Sequence, residues 1–302
     1  VKGRSSIFHI SLAVLACLLW STAFAGVKIG LQYIKPFSFA GLRFILSGLL
    51  LLPFCGKWSA FVRIVTTHFR TILLVSLFQT FLLYGFFYTG IDLIPGALGA
   101  IVIGAAPLFS AITAHFYMPD DEMTWSKSGS IAVGILGVIL ISLSRQPWSA
   151  SGLKEFIGVL LLILGCVSSS FGNIIVAKDE DRVPPLILNS VQIFIGGLLL
   201  FLISIPLEGL PRFDYPLSFY AVLLWLGCLS AIAISIWFYL LKRPGIKVSE
   251  LNLWKFIIPV GGAIFSWIIL PDESPQILPV IGMLCVTVSV LSYHASLIWR
   301  RS

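Results

Sequence analysis

Ten stretches of the chain are apolar almost without interruption, and each is bounded by a short polar or turn-forming segment. A membrane-spanning helix needs about 20 mostly apolar residues to cross roughly 30 Å of hydrocarbon. By that measure the candidate spans are 8–29, 37–55, 70–90, 95–118, 127–144, 153–177, 185–205, 217–240, 248–270 and 277–298. The breaks between them read "IKP", "GKWSA", "IDLIPG", "MPDDE", "SRQPWSASG", "KDEDRVPP", "PLEGLPRFDYP", "KRPG" and "PDESP", which carry turn and charge signals. Strand-type alternation is absent, which argues against a barrel. The pattern predicts an all-α membrane protein with ten transmembrane helices.

The pattern also repeats. "PFSFAGLRFILSGLLLLPF" (36–54) lines up with "PPLILNSVQIFIGGLLLFL" (184–202), setting Pro36 on Pro185 and Arg43 on Gln192. "WSTAFAGVK" (20–28) falls on "SSFGNIIVAK" (169–178), with Lys28 on Lys178. "PGALGAIVIGAAPLFSAI" (95–112) matches "KVSELNLWKFIIPVGGAI" (247–264), placing Pro107 on Pro259, and "MPDDE" then falls on "LPDE". The offset stays within 149–153 residues throughout. The expected organisation is a five-helix repeat over 1–147 and a second over 148–302. Five is odd, so the second copy enters the membrane from the opposite side. Inverted repeats of this kind mark secondary transporters.

Composition agrees. Of 302 residues 58% are hydrophobic and 11% charged, where soluble domains run near about 25% charged. With the N-terminus inside, cytoplasmic segments hold Lys2, Arg4, Lys57, Arg63, Arg70, Lys127, Lys178, Arg182, Lys242, Arg243, Lys247, Arg300 and Arg301. The other side holds Lys28, Lys35, Arg145, Lys154 and Arg212. This excess places both termini in the cytoplasm of a plasma (cytoplasmic) membrane protein. It also explains the net charge of +7 without a nucleic-acid partner. The five cysteines show no metal-ligand spacing and read as small core residues. "AFA" at 23–25 resembles a signal-peptidase site, but the first span has a counterpart in the repeat and is read as retained. No metal or cofactor is expected.

The ten spans, the "LLWSTAFAGVK" opening, "LRFILSGLLLLP", the apolar run around Pro107 and the acidic "PDDE" and "PDE" stops together resemble the drug/metabolite transporter superfamily. Within it the likeness is to EamA-type transporters, over nearly the whole chain. The resemblance implies eight helices around a central cavity with spans five and ten at the periphery, alternating access, and no covalent chemistry on the solute. "SELNLWKFIIPV" departs from it, being more polar than the small-residue segment usual before that proline.

That departure carries the candidate chemistry. Lys255 lies about 10–12 Å deep in the ninth span by helical rise, where a charge costs roughly 2.5–3.5 kcal/mol on insertion scales. It either lines a cavity or snorkels along its stem. Arg43, roughly 10 Å in from the outer face on the second span, either lines the pathway or bonds backbone carbonyls. Glu250 is either an acidic residue favoured by the helix dipole or a counter-ion and coupling group. Asn252, Asn173, Gln192, Gln79 and Tyr84 add polar candidates, and Trp20, Trp237 and Trp254 add stacking faces. No Asp or Glu falls at the centre of a span. A positive interior suits a solute bearing a carboxylate, phosphate or other anionic group. The expected function is secondary transport of a small organic metabolite, an amino acid or related compound, with export favoured by the resemblance. The alternative is a flippase for a lipid or lipid-linked sugar. The expected partners are the solute and the bilayer, with the chain a monomer or homodimer.

Overall fold

In a computed structural model the described residues are 2–94, 96–143, 152–179, 183–212, 214–269 and 277–299, and among them every regular element is helical. The expected repeat boundary at 147/148 lies outside the described residues. The helices are α1 (Lys2–Gly30), α2 (Pro36–Leu51), α3 (Trp58–Thr67), α4 (Phe69–Val75), α5 (Leu83–Asp92), α6 (Gly96–Gly104), α7 (Ala106–Tyr117) and α8 (Trp125–Leu143). They continue as α9 (Leu153–Lys178), α10 (Pro185–Glu208), α11 (Leu217–Leu241), α12 (Val248–Leu253), α13 (Ile257–Ile269) and α14 (Ile277–Trp299). Among the described residues, five helical segments are long and apolar enough to cross a membrane: Pro36–Phe54, Phe69–Asp92, Leu153–Lys178, Pro185–Glu208 and Leu217–Leu241. Shorter apolar stretches cover Ile7–Ala23, Ile101–Tyr117, Trp125–Ile141 and Val280–Leu291.

Three features depart from unbroken helices joined by loops. The segment after "GKWSA" is helical: Trp58, Phe61, Val62 and Val65 recur at i, i+3, i+4 and i+7 and give α3 one apolar stripe. Ten residues rise only about 15 Å, too short to span. The third span holds a π-helical turn, Ser76–Leu82, between α4 and α5. The apolar stretches expected as the fourth and ninth spans are each broken, at Ala105 and at the 3-10 turn Trp254–Phe256. Proline causes both breaks. Pro107 and Pro259 lack the N–H that the carbonyls of Ile103 and Lys255 would bond four residues earlier, and the ring crowds that carbonyl.

The packing is two-fold in pattern. α2 lies along α10 in the opposite direction: a Cβ at Gly41 would sit 2.7 Å from the Phe201 nitrogen, while one at Gly48 would sit 2.7 Å from the Ser190 oxygen. α8 and α14 also run antiparallel, with Gly137 and Gly282 each facing the other's carbonyl and Ser289 donating to Ser130 O. Around these two seams α1 packs on α11 and α13, as α9 packs on α5 and α7. α1 and α11 also run opposite ways, since Tyr33 meets Phe219 at one end and His9 meets Tyr239 at the other. The starts of α2 and α11 therefore share one end of the bundle, and α12 begins at the opposite end.

Candidate functional site

The 3-10 turn after α12 carries Lys255 into an aromatic box. Its Nζ lies 4.9 Å from the Trp237 ring centroid and 5.9 Å from that of Trp20, and the two indoles meet edge to face at 5.1 Å. A cation over indole faces is attracted by the ring quadrupole, by about 2 kcal/mol or more where desolvated. Among the described residues Lys255 makes no ion pair, and the titratable groups that feel its charge are Cys17 on α1 and Cys166 on α9. These thiols are 149 positions apart, the offset of the repeat. The serines one turn on, Ser21 and Ser170, share that offset, and each donates to the carbonyl four residues back, Cys17 O and Cys166 O. Ser21 also reaches Ile258 O at 3.2 Å, and Ser170 faces Ser110 at 3.1 Å. Cys17 and Ser21 are thus the repeat counterparts of Cys166 and Ser170, while the counterpart of Lys255 in the first half is the apolar Ile103.

Three buried polar atoms have no hydrogen-bond partner among the described residues: Trp237 Nε1, Asn173 Oδ1 and Gln79 Oε1. Such a group costs about 1–3 kcal/mol if it stays unsatisfied. Asn173 Nδ2 donates to Asn252 Oδ1 at 3.3 Å, and Asn252 Nδ2 to Val248 O at 2.8 Å, so the second asparagine is committed to its own helix. Gln79 lies in the π-turn, where the widened backbone meets Gly172; a Cβ there would come within 2.4 Å of Gln79 Oε1. π-turns occur frequently at functional sites. Trp254 and Glu250 are both buried, the latter in the first turn of α12, where the helix dipole favours a carboxylate.

Arg43 forms a second centre. Its Nε and Nη2 donate to Ser230 Oγ at 3.0 and 2.8 Å, and Ser230 donates onward to Leu226 O. The guanidinium lies 4.9 Å from the Phe44 centroid, and Tyr84, 4.4 Å from that ring, faces its charge. At 3% exposure Arg43 is enclosed by protein. Ser230 and Trp237 are seven positions apart on α11, about 10 Å of helical rise. Gln192 belongs to a third network: it accepts from Thr80 at 2.8 Å and donates to Asn189, which donates to Ser235 and Ala231 O. That chain satisfies Gln192 at both ends.

Arg43→Gln should lower stability by about 2 kcal/mol through loss of charge-assisted hydrogen bonds. Arg43→Lys should not restore it, because one ammonium cannot reproduce the planar fork. Thermal unfolding in detergent measures both, and wild-type Tm for either would exclude the contact to Ser230 as a stabilising one.

A family model, the EamA-like transporter family, matches the chain twice, over residues 7–143 and 156–293. The chain belongs to the EamA-like transporter family. Members similar to it include YoaV, an uncharacterized transporter of Bacillus subtilis, 20% identical over 257 residues covering 85% of this chain and 86% of that protein. An uncharacterized transporter of Archaeoglobus fulgidus is 25% identical over 283 residues, 91% of this chain and 92% of that one. YedA, an uncharacterized inner membrane transporter of Escherichia coli, is 23% identical over 260 residues, 80% and 76% of the two chains. A solved crystal structure shares the fold, with a TM-score of 0.78 at 18% identity over 97% of this chain and 98% of that chain. The family and these relatives carry the names of transporters and not of enzymes. This EamA-family chain is a membrane protein of the transporter class.

The sequence singled out Lys255, Trp20 and Trp237, which come together, and Asn173 with Asn252, which bond each other. Arg43 and Tyr84 form a separate centre, and Gln192 another. Cys17, Cys166, Ser21 and Ser170 were missed; the repeat offset applied to cysteines and serines would have found them.

Proposed function

We propose that the chain is a secondary transporter that moves a small organic metabolite carrying an anionic group, an amino acid or related compound, by alternating access. In this reading ten helices cross the cytoplasmic membrane as two inverted five-helix repeats, 1–147 and 148–302, with both termini cytoplasmic and export the favoured direction. The observation that carries it is Lys255, a cation without an ion pair among the described residues, held between two indoles where the halves meet. An anionic group on the solute would pair with the ammonium and accept from Trp237 Nε1. Asn173 Oδ1 and Gln79 Oε1 would accept from a donor on the same solute. Trp20, Trp254 and Asn252 shape this region, and Glu250 is the candidate coupling group. Arg43, Tyr84 and Gln192 support the walls. The unit is a monomer or homodimer.

The flippase reading needs a basic residue open to lipid headgroups. Arg43, its best candidate, is enclosed and engaged by Ser230, which favours the soluble-metabolite reading. A thermal-shift panel of anionic, zwitterionic, neutral and cationic metabolites and of lipids tests both, followed by counterflow of each hit in proteoliposomes. Carboxylate- or phosphate-bearing metabolites should stabilise the protein and exchange. Stabilisation by cations or lipids alone would overturn the proposal.

A further inference from the structure

Two acidic residues that read as loop residues in the sequence, Asp121 and Glu208, each hold the start of a helix from the other half. Asp121 follows α7. Its Oδ2 accepts the Ser249 backbone N–H at 2.8 Å, and its Oδ1 accepts the Ser249 hydroxyl. Lys127 Nζ holds the same Oδ1 at 2.5 Å and donates to Glu122 O, and both Asp121 and Lys127 are 2% exposed. Glu208 closes α10. Its Oε1 accepts the Phe37 N–H at 2.8 Å, and its Oε2 accepts the Ser38 N–H at 2.8 Å and the Ser38 hydroxyl at 2.9 Å. The first N–H groups of a helix lack partners within it and favour a carboxylate. The two contacts have one design: a carboxylate of one half takes the backbone N–H and the hydroxyl of a serine that opens a helix of the other half.

Their positions give the design a use. Ser38 lies where α2 and α11 begin, and Ser249 lies at the opposite end, where α11 closes and α12 begins. The helix that each carboxylate holds leads to a buried cation. Lys255 follows Ser249 by six residues, roughly 10 Å, and Arg43 follows Ser38 by five. We propose that Asp121–Ser249 and Glu208–Ser38 are the two latches of the transport cycle. Each positions a cation-bearing helix and closes one end of the pathway to Lys255; the pathway opens to one side when that side's latch releases and the other stays engaged. The inference rests on the alternating-access reading above.

Cys17 and Cys166 beside Lys255 serve as native reporters, because both are buried. Right-side-out and inside-out membrane vesicles containing the full chain are treated with a membrane-impermeant maleimide, and the labelled cysteines are identified by peptide mass. Asp121→Asn should raise labelling of Cys17 and Cys166 about tenfold from the face where α12 begins and leave the other face unchanged. That factor corresponds to losing one charge-assisted hydrogen bond from the closed state. Glu208→Gln should do the reverse. Wild-type labelling in both variants, or an equal rise from both faces, would overturn the proposal. If Asp121→Asn is not recovered as a monodisperse protein, Ser249→Ala keeps the Lys127 ion pair and should give the same one-sided rise, smaller in size; wild-type labelling there overturns the latch equally. The assay uses no solute. Sided exposure without metabolite binding upholds the latches and removes the substrate reading; metabolite binding with unchanged exposure does the opposite.

Discussion

Lys255→Met should weaken binding of an anion-bearing solute by roughly 30-fold or more while leaving a neutral analogue of the same shape nearly unaffected. Removing one partner of a buried charged contact costs about 2–5 kcal/mol, and each 1.4 kcal/mol is about tenfold in affinity. Methionine keeps the length and flexibility of the stem, so the 3-10 turn and the packing against Trp20 and Trp237 should persist. Free of ligand, the variant should be as stable as wild type or more so, since it no longer buries a cation that has no ion pair among the described residues. Isothermal titration of the two solutes against both proteins makes the comparison. Equal affinity for the anionic solute in wild type and variant would remove the cationic site and with it the assigned charge of the solute.

The helical class, the approximate edges of the apolar helices and the internal repeat were legible because each rests on a pattern spread over many residues. Apolar runs of about 20 residues have few other uses, and four aligned segments at one offset reinforce one another. The local geometry was not legible. Nothing in "IGAAPL" or "WKFIIPV" taken alone separates a kinked helix from a broken one; aligning Pro107 with Pro259 suggested a shared feature, and the structure turned it into two breaks. The helical character of 58–67 was hidden by its short length and its polar flanks. For the site, Lys255 stood out because a deep charge is costly, and its indole partners were named as stacking candidates without any means of bringing α1 and α11 together. Polar residues were harder to sort. Gln192 and Asn173 look alike in sequence, yet Gln192 is bonded at both ends and Asn173 keeps an open acceptor. Acidic residues near helix ends were the least legible, because a loop carboxylate and a carboxylate clamped on a distant helix leave the same local signature.

Asp179 shows how much such a carboxylate can matter. It lies in "KDEDR", which reads as a solvated turn, yet it is buried at 4% exposure and pairs with Lys242 Nζ at 2.5 Å. It also accepts the Val183 N–H, while Lys242 donates to Val183 O, so the pair binds the close of α9, the approach to α10 and the close of α11. Asp179→Ala should destabilise the protein by about 3–5 kcal/mol, because it breaks a buried ion pair with Lys242 and removes the acceptor of the Val183 N–H. The expected reading is a large fall in Tm in detergent, with expression reduced in parallel. Asp179→Asn combined with Lys242→Met removes both charges and keeps the bond to Val183 N–H, so most of that loss should be recovered. The double variant decides between two causes. If it is as unstable as Asp179→Ala, the polar contacts around Val183 hold the three helix ends together; if it approaches wild type, the cost lay in breaking the ion pair on one side only, and the pair serves to fix the register of α9 against α11.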